Sequence, residues 1–148
     1  MKKSTIILVL ALLAFLVSCS AKYITFQEDS FSAQYPEWGK ISNNELVDVV
    51  KGQCEVKIGI QDSKFDPSDL KVSVDVSIIP ALKRSGLFIE NYNLNGNEAI
   101  LEMTANNAYG KQKYIACNNK LYKVSAGCNK KNNLIDVVIN SASCSSDS

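Results

Sequence analysis

Four short strand-like segments, separated by very short turns, constrain the fold of this 148-residue chain more than any other feature. The segments are LFIENYNL, EAILEMTA, KQKYIAC and LYKVSA, and their connections are NG, NNAYG and NNK. Since connections this short join neighbouring antiparallel strands, the sequence predicts an antiparallel meander. Asn95-Gly96 predicts a type I′ hairpin turn, because both residues tolerate the positive φ that this turn needs.

Further β-patterned segments precede the meander, and a helical pattern follows it. YITF and FSAQY flank the polar QEDS and predict a hairpin, while ELVDVV and CEVKIGI predict two more strands. NNLIDVVINSA predicts a C-terminal helix with an apolar stripe from Leu134 to Ile139 and with Asn132 or Asn133 as its cap.

The periodicity of residues 68–84 leaves two interpretations open. Strict alternation from Leu70 to Ile78 favours a strand. The Asp66-Pro67 start signal and an apolar stripe that continues to Leu82 favour a helix. Pro80 disturbs either structure, because it lacks a backbone N–H.

The first nineteen residues resemble the signal of a bacterial-type lipoprotein. Lys2 and Lys3 precede twelve consecutive apolar residues, whereas a bilayer-spanning helix needs about 20. Leu16-Val17-Ser18-Cys19 is similar to a lipobox, in which the cysteine thiol carries a diacylglyceryl group and the signal is cut just before it. Two acyl chains anchor a protein stably, where one is marginal. We expect a signal peptide at residues 1–18 and a lipidated Cys19.

The expected location follows from this anchor. A tether at residues 19–22 spans only about 13 Å when extended, so the domain would lie close to the membrane. We expect it on the extracytoplasmic face of the cell membrane or outer membrane, with a membrane or envelope protein as its partner.

The charge of the mature chain argues against two classes of partner. Removal of residues 1–18 leaves 14 Lys and Arg against 15 Asp and Glu. A net charge near −1 predicts no electrostatic attraction to nucleic acid or to anionic lipid. The roughly 130 remaining residues suffice for one domain, predicted at 23–144, and residues 145–148 are predicted to be a disordered tail.

Four cysteines remain after Cys19, and an even number in an exported chain predicts two disulfides. Cys117 and Cys128 stand at opposite ends of a hairpin, about 20 Å apart, so they cannot pair with each other. The terminal helix would return Cys144 to the turn beside Cys117. The predicted bridges are therefore Cys117–Cys144 and Cys54–Cys128, the second on the assumption that the two strands lie side by side and antiparallel.

Two stretches resemble PsbP-like domains. FSAQYPEW carries Phe31, Pro36 and Trp38, and the run GNEAILEM, YIACNNKLYKVSAGC, LIDVVINSAS carries Tyr122 in the second strand of its hairpin. That family includes the extrinsic PsbP subunit of photosystem II, the Mog-type Ran-binding proteins and many envelope lipoproteins. Ala142 departs from the pattern, since a phenylalanine commonly follows the serine there.

The resemblance implies an α+β fold in which a central antiparallel β-sheet is flanked by helices on both faces. It also implies that residues 68–84 are helical. It implies no shared chemistry, because a fold does not determine a function. We interpret the four matched aromatic and proline residues as core anchors.

The rest of the sequence argues against catalysis and metal binding. The chain has no histidine, which excludes Ser-His-Asp and Cys-His catalysis and most zinc sites. Residues 91–102 match part of a calcium-loop pattern but lack its first acidic residue, and they also fit a hairpin. Asp62, Asp66 and Asp69 are interpreted as a solvated turn and helix start.

We therefore expect no catalytic residue, metal or cofactor, and we expect a non-catalytic binding or assembly module. The alternatives are a small-ligand carrier in the cell envelope and, least favoured, a carboxylate-based hydrolase.

Overall fold

The computed structural model describes residues 22–39 and 45–145. The predicted signal peptide, Cys19, most of the tether and the last three residues of the predicted tail lie outside this part of the chain. The described strands are β1 (Tyr23–Glu28), β2 (Phe31–Pro36), β3 (Val47–Lys51), β4 (Cys54–Asp62), β5 (Phe88–Asn95), β6 (Glu98–Ala105), β7 (Ala108–Cys117), β8 (Lys120–Cys128) and β9 (Ser143–Cys144).

Helical structure occurs in two places. Pro67–Arg84, called here the helical segment, contains a 3-10 turn (Pro67–Asp69), α1 (Leu70–Val72), a π-helical stretch (Ser73–Ile78) and α2 (Ile79–Arg84). The C-terminal helix α3 (Asn133–Ser141) is capped by Asn132, whose side chain accepts a hydrogen bond from Leu134 N. This cap is one of the two that the sequence predicts.

The strands form two antiparallel sheets. A six-stranded sheet has the order β3-β4-β8-β7-β6-β5, and a three-stranded sheet has the order β1-β2-β9. Strands β5 to β8 are neighbours in chain order, which confirms the predicted meander. The β1–β2 hairpin is also as predicted.

The predicted type I′ turn at Asn95-Gly96 is wrong. Asn95 pairs with Glu98, so Gly96 and Asn97 are the two central residues, and of these Gly96 alone has a positive φ, +59°. Glycine at the first central position is the requirement of a type II′ turn. Between β7 and β8, Asn118 and Asn119 have φ values of 50° and 57°, so the type I′ geometry occurs there.

The helical segment resolves the ambiguity of residues 68–84 in favour of helix. Leu70 and Val74 are buried, whereas Val72 and Val76 are 60% and 68% exposed, so the alternation of apolar residues did not indicate a strand. Pro80 explains the π stretch, because an α-helical turn would press its ring against the carbonyl four residues earlier. The wider turn lets Ile79 N–H bond to Val74 O instead.

The six-stranded sheet has a buried cluster on each face. On the α3 face, the core residues include Val56, Ile58, Ile115, Tyr122, Val124, Ile135, Val138 and Ile139. On the opposite face, called the segment face, they include Leu70, Val74, Ala99, Leu101, Met103, Tyr114, Ala116 and Leu121. Full helices on both faces are not supported: α3 is the one long helix in the described chain, and the segment face carries short turns of three helix types.

Lysines of β7 bind α3 and the residues after it to the sheet. Lys111 forms ion pairs with Glu102 of β6 and, at 2.8 Å, with Asp136 of α3. Burial by itself lowers the pKa of Lys111, but its hydrogen bonds to Asp136 and Glu102 raise the pKa above its usual value. The buried Lys113 ammonium donates to Ala142 O at 2.7 Å and pairs with Glu98.

Two disulfides join the pairs that the sequence predicts. Cys54 lies directly opposite Cys128 in the antiparallel β4–β8 ladder, with 4.1 Å between their Cα atoms. Cys117 is bonded to Cys144, with 5.8 Å between Cα atoms. The helix does return Cys144 to the Cys117 turn, although Cys144 itself lies in β9.

Replacing Cys117 and Cys144 together by alanine should lower the free energy of unfolding by about 2–4 kcal/mol, because the bridge constrains the unfolded chain. Denaturant unfolding of the variant and of the oxidised parent measures the loss, and the reduced parent should lose at least as much. A peptide that links Cys128 to Cys144 in an unreduced digest would contradict the pairing.

Candidate functional site

The residues that carry the family resemblance lie in or against the core. Phe31 and Tyr122 are fully buried, and their rings stack with centroids 4.1 Å apart. Pro36 is buried at the end of β2, and Trp38 is half-buried against the α3-face core. These side chains position the three-stranded sheet on the six-stranded one, and their burial leaves little surface for a ligand.

The partial calcium-loop pattern forms the β5–β6 hairpin. Asn91, Asn93 and Asn95 occupy exposed positions of β5 rather than a loop. The aspartates around Pro67 form turns, in which Asp66 accepts from Ser68 N and Asp62 accepts from Lys64 N. Across residues 22–39 and 45–145, no group of three metal-binding side chains comes together.

A groove of about 580 Å³ lies on the segment face at the end of the sheet where β3 turns into β4. Its floor is the backbone of Gly110 and Gly127, which pair across β7 and β8. Leu87 and Met103 form part of one wall, and Val50 contributes to the other. The groove exists because the glycines have no side chains there, and because the main contacts of the helical segment with the sheet are with β5 and β6.

The side chains around the groove are mainly neutral. Gln53, Gln112, Ser125 and Asn129 supply amides and a hydroxyl. Gln112 accepts a hydrogen bond from the phenol of Tyr114, whose pKa is raised by burial. Such a lining suits apolar or neutral polar groups.

Both charged residues of the described lining are held in ion pairs. Glu55 pairs with Lys57 at 2.7 Å. Lys111 is committed to its carboxylate partners on the α3 face. Within the described lining, the carboxylate and the ammonium are therefore each engaged by a partner from the protein itself.

The sequence analysis missed this groove, although the sequence contained a signal for it. Gly110 lies in one of the two strands that the turn NNK makes neighbours, and Ser125 and Gly127 lie at alternate positions of the other. Small residues at alternate positions of adjacent strands indicate a strip of sheet with a low surface, where another backbone or a ligand can approach closely.

Alanine at the two floor glycines should have unequal effects on stability. A Cβ at Gly110 would lie 3.1 Å from Ala126 O, a backbone atom, whereas at Gly127 the nearest atom would be 3.6 Å away. We expect Gly110→Ala to cost about 1–2 kcal/mol and Gly127→Ala less than about 0.5 kcal/mol. Urea unfolding tests this, and equal losses would show that the floor is no tighter at Gly110.

The solved structures to which the chain is similar include two PsbP-like proteins. The solution structure of cyanobacterial PsbP (CyanoP) from Synechocystis sp. PCC 6803 matches with a TM-score of 0.61 and 16% identity, covering 85% of this chain and 94% of that one. A point mutant of the protein Mog1 matches with a TM-score of 0.53 and 7% identity, covering 84% and 96%. No family model and no curated protein matches the sequence. At these identities the likeness concerns the fold, and it agrees with the resemblance in the motifs: the chain has a PsbP-like fold.

Proposed function

We propose that this chain is an extracytoplasmic, membrane-anchored lipoprotein whose domain is a non-catalytic binding module, and that the groove on the segment face is its binding surface. The observation that carries the binding role is the groove itself: it is floored by glycine backbone and mainly neutral, and the two charges of its described lining are held in ion pairs.

The extracytoplasmic location is supported by chemistry that needs an oxidising compartment. Two disulfides join cysteines that are 74 and 27 residues apart in the sequence, and such bridges persist outside the cytoplasm. The described part of the chain contains no helix with the length and apolarity needed to cross a membrane. The proposed attachment rests on the lipobox-like LVSC before the domain.

The dimensions of the uncovered strip suit a segment of a protein partner. Strands β4, β8 and β7 are neighbours, and at about 4.8 Å per strand they span roughly 10 Å. One helix has a similar width, so a single helix or extended segment would cover the strip. The glycine floor would allow its backbone to approach closely.

Two alternatives differ in what the groove would hold. Its volume lies within the range of about 300–1,000 Å³ typical of ligand pockets, which favours a small-ligand carrier as the second candidate. The hydrolase alternative is not supported, because glycoside hydrolysis needs two carboxylates and Glu55 is the one carboxylate in the described lining.

The anchor is tested by Cys19→Ser. We expect full-length precursor that no longer incorporates labelled fatty acid, because the thiol is the proposed acceptor. Replacing Cys117 and Cys144 together by serine is the control, because it removes two other cysteines without leaving an unpaired thiol, and it should leave labelling intact. Equal labelling of the Cys19 variant and the parent would refute the lipoprotein assignment.

The groove is tested by Gly127→Leu, which places a bulky side chain on the floor at the glycine that has room for a Cβ. Lys123→Leu is the control, because position 123 is on the same strand and face but outside the groove. Cross-linking in intact membranes should lose its products in the Gly127 variant and keep them in the control, while both melt within a few degrees of the parent.

Native mass spectrometry of the purified parent distinguishes the carrier alternative. A co-purifying small molecule that is absent from Gly127→Leu would favour the carrier. Cross-linked products that are unaffected by Gly127→Leu would remove the groove from the proposal.

A further inference from the structure

The two ends of the six-stranded sheet carry opposite charges. Because the strands alternate in direction, the turns after β3, β6 and β8 and the start of β5 lie at one end. Five exposed cations lie in these connections or at the ends of the elements that lead into them: Lys51, Lys83, Arg84, Lys130 and Lys131. We call this the basic end.

The opposite end is acidic. Lys120, at the start of β8, forms ion pairs with Glu28 at 2.9 Å and with Asp29 at 3.2 Å. Phe65 N donates to Asn119 O, which brings the turn that contains Asp62 and Asp66 to the same end. These carboxylates are therefore about a strand length away from the basic end.

The cations of the basic end have no carboxylate partners in the described chain. The ion pairs of residues 22–39 and 45–145 involve other lysines, and Lys131 instead lies 5.1 Å from the centroid of the Tyr109 ring. Glu55, the acidic residue nearest the β3–β4 turn, is already paired with Lys57. Glu90 of β5, an exposed carboxylate two residues from Phe88, accepts a hydrogen bond from Thr104 and forms no ion pair with the five cations, so this end keeps an excess of positive charge.

The distance between the two ends of the sheet lets the positive charge of the basic end act on a partner, although the whole chain is almost neutral. The ten residues of β7 separate the ends by about 33 Å, four times the Debye length of roughly 8 Å at physiological salt. A partner at the basic end therefore experiences the five cations rather than the net charge. The expectation from composition, that anionic lipid is not attracted, rests on the net charge and so does not describe this surface.

An exposed aromatic residue accompanies the cations. Phe88, the first residue of β5, is 72% exposed, which is rare for phenylalanine in a folded domain. Cations with an accessible aromatic ring are typical of surfaces that lie at the headgroup layer of an anionic membrane.

The position of the first described strand is consistent with the basic end facing the membrane. Strand β1 runs from Tyr23 to Glu28, and it is Glu28, its far end, that contacts the acidic end through Lys120. The proposed anchor at Cys19 precedes Lys22 by three residues, at most about 11 Å of extended chain. The domain is thus tethered from the end of β1 that is remote from the acidic end.

We propose that the basic end binds anionic phospholipid headgroups and so orients the domain on its membrane. This orientation rests on the proposed lipid anchor, whereas the attraction of the basic end to anionic lipid does not. The ligand chemistry is a lipid phosphate at a bilayer surface, bound by several cations together with the Phe88 ring.

The test uses the full protein purified with its anchor and reconstituted in vesicles of phosphatidylcholine alone or with about one third phosphatidylglycerol. Amine-reactive labelling, read by mass spectrometry, reports the accessibility of each lysine. On anionic vesicles we expect labelling of Lys51, Lys83, Lys130 and Lys131 to fall at least about threefold relative to neutral vesicles. Labelling of Lys64 and Lys123 should not change, and about 0.5 M salt should abolish the protection.

A matched pair of charge reversals makes the result specific. Lys130→Glu with Lys131→Glu should halve, or reduce further, the protection of Lys51 and Lys83, while Lys64→Glu with Lys123→Glu should leave it intact. All variants should melt close to the parent, since these side chains are exposed or half-exposed.

The outcomes separate the two proposals. If the anchor is absent, the protein washes off neutral vesicles yet still shows salt-sensitive protection on anionic ones. If labelling is equal on the two vesicle types, lipid binding by the basic end is overturned, and an acidic protein surface becomes the partner of this end.

Discussion

The pairing of β4 with β8 is the contact on which the rest of the molecule depends. It joins the β3–β4 hairpin to the meander through pairs 59 to 74 residues apart in sequence, and Cys54–Cys128 fixes its register covalently. Each residue of β4 then lies on the same face of the sheet as its partner in β8, and successive pairs alternate between the two faces. Val56 and Ile58 meet Ala126 and Val124 in the α3-face core, whereas Glu55 meets Gly127 at the groove. A shift of one residue would exchange core and groove.

Much of this architecture could be predicted from local sequence, and the limits have physical reasons. Short polar turns between alternating strands were enough to predict the meander, and helical spacing with a capping asparagine was enough to predict α3. The helical segment could not be assigned from periodicity, because exposed valines at positions 72 and 76 imitate a strand. Its interpretation needed the family resemblance, and the extent to which short helical turns cover the segment face needed the three-dimensional structure.

The turn type and the charge distribution show a second kind of limit. Asn95-Gly96 satisfies the chemistry of a type I′ turn, but strand pairing moved the turn by one residue and left Asn95 in β5. Net charge likewise sums over residues that the fold separates by about 33 Å. Both properties depend on register and topology, which composition does not contain. The groove differs, since its small residues were visible but became meaningful only once β7 and β8 were known to be adjacent.

The groove and the basic end lie at the same end of the sheet, and this places a constraint on any occupant. Gly52 and Asn129 line the groove, and Lys51 and Lys130 are their immediate neighbours in the chain. If the basic end faces lipid, the end of the groove that Gly52 and Asn129 line lies beside the headgroups. An occupant that is itself held at the membrane surface is then already next to the groove. A juxtamembrane segment of a membrane protein is held there, whereas a freely diffusing polar molecule is not.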